Sequence, residues 1–228
     1  MASPESEGQH QLSLQGGLHE VHSVTITSSI ATVEVSKSAH PADPVATAGV
    51  SGAYGLMDRL DLGADLELGV VPLFFTKYQL WGEPKRKAQP GNFSFALLAG
   101  IGSDAASTSS DTGIFGATPG SIHRDASSLI EAGAIMGYRT SSHVILLAGS
   151  SVLWQDIEGD QTLGNSASPI HFKDHSRYTE IHGAGYFTAD ENTGHSFFIT
   201  PSVQWGWTDS FGNRNYLTTI QVDVGTQF

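Results

Sequence analysis

The chain has 228 residues, a formal net charge of −12 and no cysteine. Eleven lysines and arginines cannot supply the clustered cations that a phosphate backbone needs, so nucleic acid is excluded as a partner. The lack of cysteine excludes a disulfide framework, a thiolate metal site and a cysteine nucleophile. Charged residues are only 15% of the chain, against roughly 25% in ordinary soluble domains.

Residues 1–8, "MASPESEG", have no basic region and no apolar core. They are expected to be the flexible N-terminus of a mature chain. Both 9–19 and 24–35 alternate well enough to be a first strand; 9–19 is taken as that strand and 24–35 as part of an outer extension. Segment 45–56 follows, with a small, flat row of Ala46, Ala48, Val50 and Gly52. The clearest period of two is at 60–70, where Leu60, Leu62, Ala64, Leu66, Leu68 and Val70 face one way and Asp61, Gly63, Asp65 and Glu67 the other. Residues 73–82 carry Lys77 and Gln79 as polar markers.

The same scheme recurs near 92–102, 129–139, 143–155, 177–188, 195–207 and 215–228. In the last of these, Tyr216, Ile220, Val222, Val224 and Phe228 share a face, while Gln221 and Asp223 oppose them. Short connections at 57–59, 140–142 and 189–194 alternate with long, patternless ones at 103–127 and 156–174. Transmembrane barrels place short turns on one side and long loops on the other, and counting strands back from the C-terminus puts these three short turns and two long loops on their expected sides, with 60–70 and 73–82 as separate strands joined by a small outer turn at Val71 and Pro72. About ten strands result, an even number as such barrels require. Trp154, Trp205, Trp207 and Tyr216 then gather at the outer ends, and Tyr54, Tyr138, Phe187 and Phe228 at the inner ends, as two aromatic belts. The expected fold is all-β: one antiparallel up-and-down transmembrane barrel over residues 9–228.

Two stretches carry a resemblance: the final alternating strand closing on Phe228, and "GVSGAYGLMDRLDLGADLELG". On them the chain resembles the Gram-negative outer-membrane β-barrel family, and it looks like the small porin-like barrels that include ring-forming, lipid-enclosing proteins of predatory bacteria. The resemblance implies an outer-membrane location and a terminal strand (Tyr216, Ile220, Val222, Val224, Phe228) read by the barrel assembly machinery.

If the alternation holds, the lumen receives Asp61, Asp65, Glu67, Lys77, Glu131, Arg139, Glu180, His182 and Asp223. Charges buried singly are expensive, so these groups should pair or keep water. About ten strands leave at most a thin path, and conductance should be small. "HFKDH" sets His171 and His175 four apart, as zinc ligands on a helix would be, but the segment reads as a loop without a third ligand. Glu180 and His182 share a face as a base and its orienter would, without a matching serine motif. "EPKRKAQPGN" concentrates Lys85, Arg86 and Lys87 in what reads as a solvated turn.

Small residues also line Gly183, Gly185 and Ala189, so these and Ala46, Ala48, Val50 and Gly52 are candidate subunit contacts. The expectation is a porin-like or structural outer-membrane barrel, oligomeric and lipid-associated, with no cofactor, metal or enzymatic activity. The alternatives are a barrel enzyme acting on lipid and a soluble lipocalin-like carrier with its apolar rows inside.

Overall fold

The computed structural model describes residues 3–7, 12–21, 28–30, 33–35, 45–67, 72–104, 107–111, 120–125, 127–163, 170–189, 196–210 and 213–227, with side chains placed at 3–7 and over most of the strands from residue 49 onward. The strands are β1 (Leu12–Val21), β2 (Ser28–Ile30), β3 (Val33–Val35), β4 (Val45–Met57), β5 (Leu60–Glu67), β6 (Leu73–Trp81) and β7 (Phe93–Asp104). They continue as β8 (Ser107–Asp111), β9 (Gly120–Arg124), β10 (Ser127–Ser141), β11 (Val144–Leu163), β12 (Ile170–Ala189), β13 (Ser196–Ser210) and β14 (Asn213–Gln227).

Ten of them form a closed antiparallel ring in the order β1, β4, β5, β6, β7, β10, β11, β12, β13, β14. The seam is β1 on β14, running from Ser13 opposite Gln227 to Val21 opposite Thr219. Closure leaves no free sheet edge around the wall, which removes the unpaired backbone that a membrane interior cannot satisfy. The assignment of the first strand to 9–19, with 24–35 outside the wall, agrees with β1 in the ring and, among the described residues, with β2 paired to β3 and not to the ring.

The alternation sorts the side chains as a membrane barrel does. Leu62 is 45% exposed and Ile220 47% on the outside, while Asp61 at 0% and Asp223 at 1% are enclosed. Such an inversion overturns the soluble carrier, whose apolar rows would have to point inward. On β10 the outward row runs from Tyr138 through Met136 to Ile130. Eight rises along a strand tilted by about 40° span about 20 Å, close to the apolar band of a transmembrane barrel.

The turns at Asp58–Arg59 and Ser142–His143 and the connection 82–92 all lie at one end of the ring, as does the end of β14. At the other end the two long connections differ from expectation. Residues 103–127 contain β8 and β9, which add to the edge of β11 beyond the point where β10 leaves it. Residues 156–174 are not a loop over most of their length, since β11 runs to Leu163 and β12 starts at Ile170, paired as far as Gln161 opposite Ile170. The described outward row of this hairpin is charged, so no hydrophobic period marks it.

Cross-strand charge pairs mark it instead. On its outward face Asp156 meets His175 at 2.6 Å, Asp160 meets His171 at 3.1 Å, and Lys173 donates to Glu158 between them. The Lys173 hydrogen bond and charge hold the Glu158 carboxyl below the usual glutamate range, and Glu158 in turn raises the Lys173 ammonium. Below this ladder, Trp154 stands opposite Arg177, which pairs with Asp209 at 2.9 Å. The outer surface thus passes from aliphatic through tryptophan to charged along one row, as expected where acyl chains give way to headgroups and water.

Candidate functional site

The candidate site is the lumen, and its inner half is occupied by the chain itself. Residues 3–7, part of the 1–8 segment expected to be a flexible terminus, are buried within it. The fixed positions on the wall are supplied by β5, β6 and β10, whose inward rows carry Asp61, Lys77 with Gln79, and Arg139.

Each polar group of the segment that meets these rows is bonded. Arg139 Nη2 donates to Glu5 Oε2 at 2.6 Å and its Nε to Oε1 at 3.2 Å, the paired geometry that gives a guanidinium its strongest carboxylate contacts. Asn92 Nδ2 adds a third donor to Glu5 Oε1 at 2.9 Å. Lys77 Nζ donates to the Ser3 carbonyl at 2.6 Å and the Glu5 carbonyl at 3.2 Å while lying 2.9 Å from Asp61. The Ser6 amide donates to Gln79 Oε1 at 2.8 Å, the Glu7 amide to the Asp61 carboxylate at 3.1 Å, and the Ser6 hydroxyl to the Asp58 carbonyl.

The connection 82–92 straps this segment from below. Its Lys85 amide donates to the Ser6 carbonyl at 3.0 Å, and its ammonium lies 3.4 Å from Glu7 and 4.5 Å above the Tyr186 ring. Burial alone would lower the Lys85 ammonium, but Glu7 and Tyr186 outweigh it and hold the group above its ordinary value. Lys85 therefore departs from the solvated-turn reading. Arg86 and Lys87 keep to it, with Lys87 paired to Asp58 at the surface. Two left-handed glycines, Gly82 at φ 92° and Gly91 at φ 93°, bend the strap back. On the far wall Ile145, Leu147, Tyr186 and Phe198 form an apolar cluster that narrows the same level.

Of the remaining lumen residues, Glu131, Glu180, His182 and Asp65 stand farther out along the wall, while Asp223 lies four positions from the inner end of β14. Glu180 Oε1 accepts from Ser151 Oγ at 3.0 Å and lies 3.3 Å from His182 Nδ1. Glu131 shares this level with Glu180 and Asp65, and Asp65 is open to solvent. Asp223 receives the Gln221 amide, which with Gln204 forms a polar row on β13 and β14. The backbone of Glu67 is part of β5, while its side chain lies outside the described set.

The expected Glu180–His182 contact is thus present, but the serine beside it donates to the carboxylate and not to the imidazole. His171 and His175 share the outward face of β12 at about 13 Å, four residues apart on a strand, with Lys173 between them. That spacing cannot close on one metal ion.

Of the terminal-strand residues, Ile220, Val222 and Val224 face outward; the Tyr216 side chain and Phe228 lie outside the described residues. Among the small-residue candidates, Val50 faces outward on β4, and Gly183 and Gly185 sit on the outward row of β12, where the Phe187 ring leans over Gly185. Gly52 is half-buried, and the side chains of Ala46, Ala48 and Ala189 are outside the described set.

Sequence reasoning missed the occupied lumen. Residues 3–7 have no period of their own, and their partners lie between 52 and 134 residues away. The one available sign was separation along β10: Arg139 lies about 26 Å along the strand from Glu131, too far to be neutralised by the outer carboxylates.

No protein-family model and no curated protein matches the chain. Among solved structures it is similar to the N-terminal β-barrel domain of Pseudomonas aeruginosa OprF, at 13% identity and a TM-score of 0.38 over 97% of this chain and 99% of that one. It is also similar to neisserial surface protein A, at 12% identity and TM-score 0.38 over 95% of each chain. A third similarity is to the translocator domain of the Neisseria meningitidis autotransporter NalP, at 11% identity and TM-score 0.42 over 97% of this chain and 88% of that one. Likeness at this level brings no function with it, and the fold stands on the strand pairing described above.

Proposed function

We propose that the chain is a structural, porin-like barrel of the Gram-negative outer membrane, with lipid as its main partner and a lumen that conducts weakly or not at all. The observation that carries this reading is the inverted distribution of side chains: Leu62, Leu97, Ile181 and Ile220 face out while Asp61, Lys77, Arg139 and Asp223 are enclosed. Residues 3–7 and the Tyr186–Phe198 cluster fill the inner end, which supports a closed tube over an open pore. The turn end is then periplasmic, the charged hairpin of β11 and β12 stands outside the cell, and the barrel assembly machinery reads β14.

The oligomer in this reading is a ring. Small outward residues on β4 (Val50, with Ala46, Ala48 and Gly52 on the same strand) and on β12 (Gly183, Gly185) are separated by β1, β14 and β13, so they lie on different flanks of the barrel. A head-to-tail ring needs two such different faces, not one self-complementary patch.

The test is purification in detergent followed by planar-bilayer recording. Heat-modifiable migration, lipid carried through purification, and conductance near baseline are expected. A protein that stays in water without detergent would sink the proposal, and so would a large stable conductance. Cross-linking in native membranes that gave only monomer would remove the ring.

A further inference from the structure

We infer that the inner end of the lumen is a binding site for a short acidic peptide, and that residues 3–7, Ser-Pro-Glu-Ser-Glu, are its ligand held in cis. The inference rests on the membrane-barrel reading above and goes beyond it by giving the closed end a removable occupant.

Residues 3–7 are bound as a peptide ligand is bound. Peptide sites combine fixed charges for the side chains with donors and acceptors for the backbone. Here three cations from separate elements, Arg139 on β10, Lys77 on β6 and Lys85 in the strap, converge on the segment. Arg139 and Lys85 take the two glutamates. Lys77 and Gln79 take backbone groups, and the Asp61 carboxylate receives the Glu7 amide.

Shape agrees with charge. A Cβ on Gly137 would come 2.5 Å from Pro4 Cγ, so the missing side chain on β10 is the seat of the proline. Among the described residues the wall contributes no strand-ladder bond to the segment, and side-chain contacts of this kind can be exchanged.

The experiment uses the full chain in planar bilayers. The double substitution Glu5→Lys/Glu7→Lys turns both anchors against Arg139 and Lys85, and Gly137→Leu fills the proline seat without touching a charge. Both variants are expected to conduct where the unaltered protein does not. Synthetic Ser-Pro-Glu-Ser-Glu peptide added on the turn side should close the doubly substituted barrel. Ser-Pro-Gln-Ser-Gln should need a concentration about tenfold higher for each carboxylate that an amide replaces. The Gly137→Leu barrel should stay open at either peptide.

Variants that insert, keep heat-modifiable migration and remain closed would overturn the inference, as would equal block by the two peptides. Failure of the unaltered protein to insert or to show heat-modifiable migration would instead overturn the membrane reading.

Discussion

Arg139 and Glu5 are 134 positions apart in sequence and 2.6 Å apart in space, with no exposed side-chain surface on either. Enclosed pairs are costly to desolvate, and removing one partner leaves the other unpaired, at about 3–5 kcal/mol. Glu5→Gln and Arg139→Met should each therefore lower stability by an amount of that order, and the double variant should lose less than the sum. Denaturant unfolding of the barrel in lipid vesicles, followed by tryptophan fluorescence, gives the coupling; simple additivity would mean that the contact is not made in the bilayer.

Leu97 sits on the outward row of β7, midway between Phe93 and Ile101. If that row meets acyl chains, Leu97→Arg should cost about 2–4 kcal/mol, and Phe93→Arg near the turn end about 0–1 kcal/mol. Folding efficiency into vesicles of fixed thickness measures both. Equal costs would show that the row does not cross a bilayer.

The His182 ring on β12 occupies the space where a side chain on its cross-strand partner Gly149 would lie. Gly149→Val must expel the imidazole from its place beside Glu180, so a clear loss of stability is expected. Adding His182→Ala should recover part of it, because the valine then fills room that the ring has left. Were the second substitution to make matters worse, the steric account of this pair would fail.

The outer hairpin should depend on pH at both extremes. Glu158 has its carboxyl lowered from 4.5 by Lys173, so its contribution is complete above that value and disappears as pH falls through the lower, folded one. Lys173 is raised from 10.5, so its contribution is complete below that value and disappears as pH rises through the higher one. The protection of amides at 156–161 and 170–175, taken as the ratio of intrinsic to observed exchange rate, should be greatest between these limits and should fall in concentrated salt, since the pair is open to screening. Protection that ignored both pH and salt would show that the ladder does not hold the hairpin.

The wall of the barrel is legible in the sequence because lipid and lumen impose opposite chemistry on neighbouring residues: Leu62 beside Asp61 and Val222 beside Asp223 can be sorted without coordinates. That contrast ends where the outward row leaves the lipid. At Asp156, Glu158 and Asp160 against His171, Lys173 and His175 the period of two persists in charge alone, which a search for apolar rows passes over. Residues 3–7 are harder still, since a strap, a distant arginine and a missing side chain at Gly137 must all be in place before Pro4 and Glu5 have anywhere to go. Lys85 escapes sequence reasoning on the same ground: a lysine in a turn faces water unless something folds over it.

The contacts of residues 3–7 fall on β5, β6 and β10, whereas β1, the strand that follows them in sequence, belongs to the seam with β14. Residues 3–7 thus join β5 and β6 to β10 across the intervening β7. In mechanical terms they are a tie rod across an arc of the hoop, and an arc so tied resists being flattened by uneven lateral pressure from the surrounding leaflet.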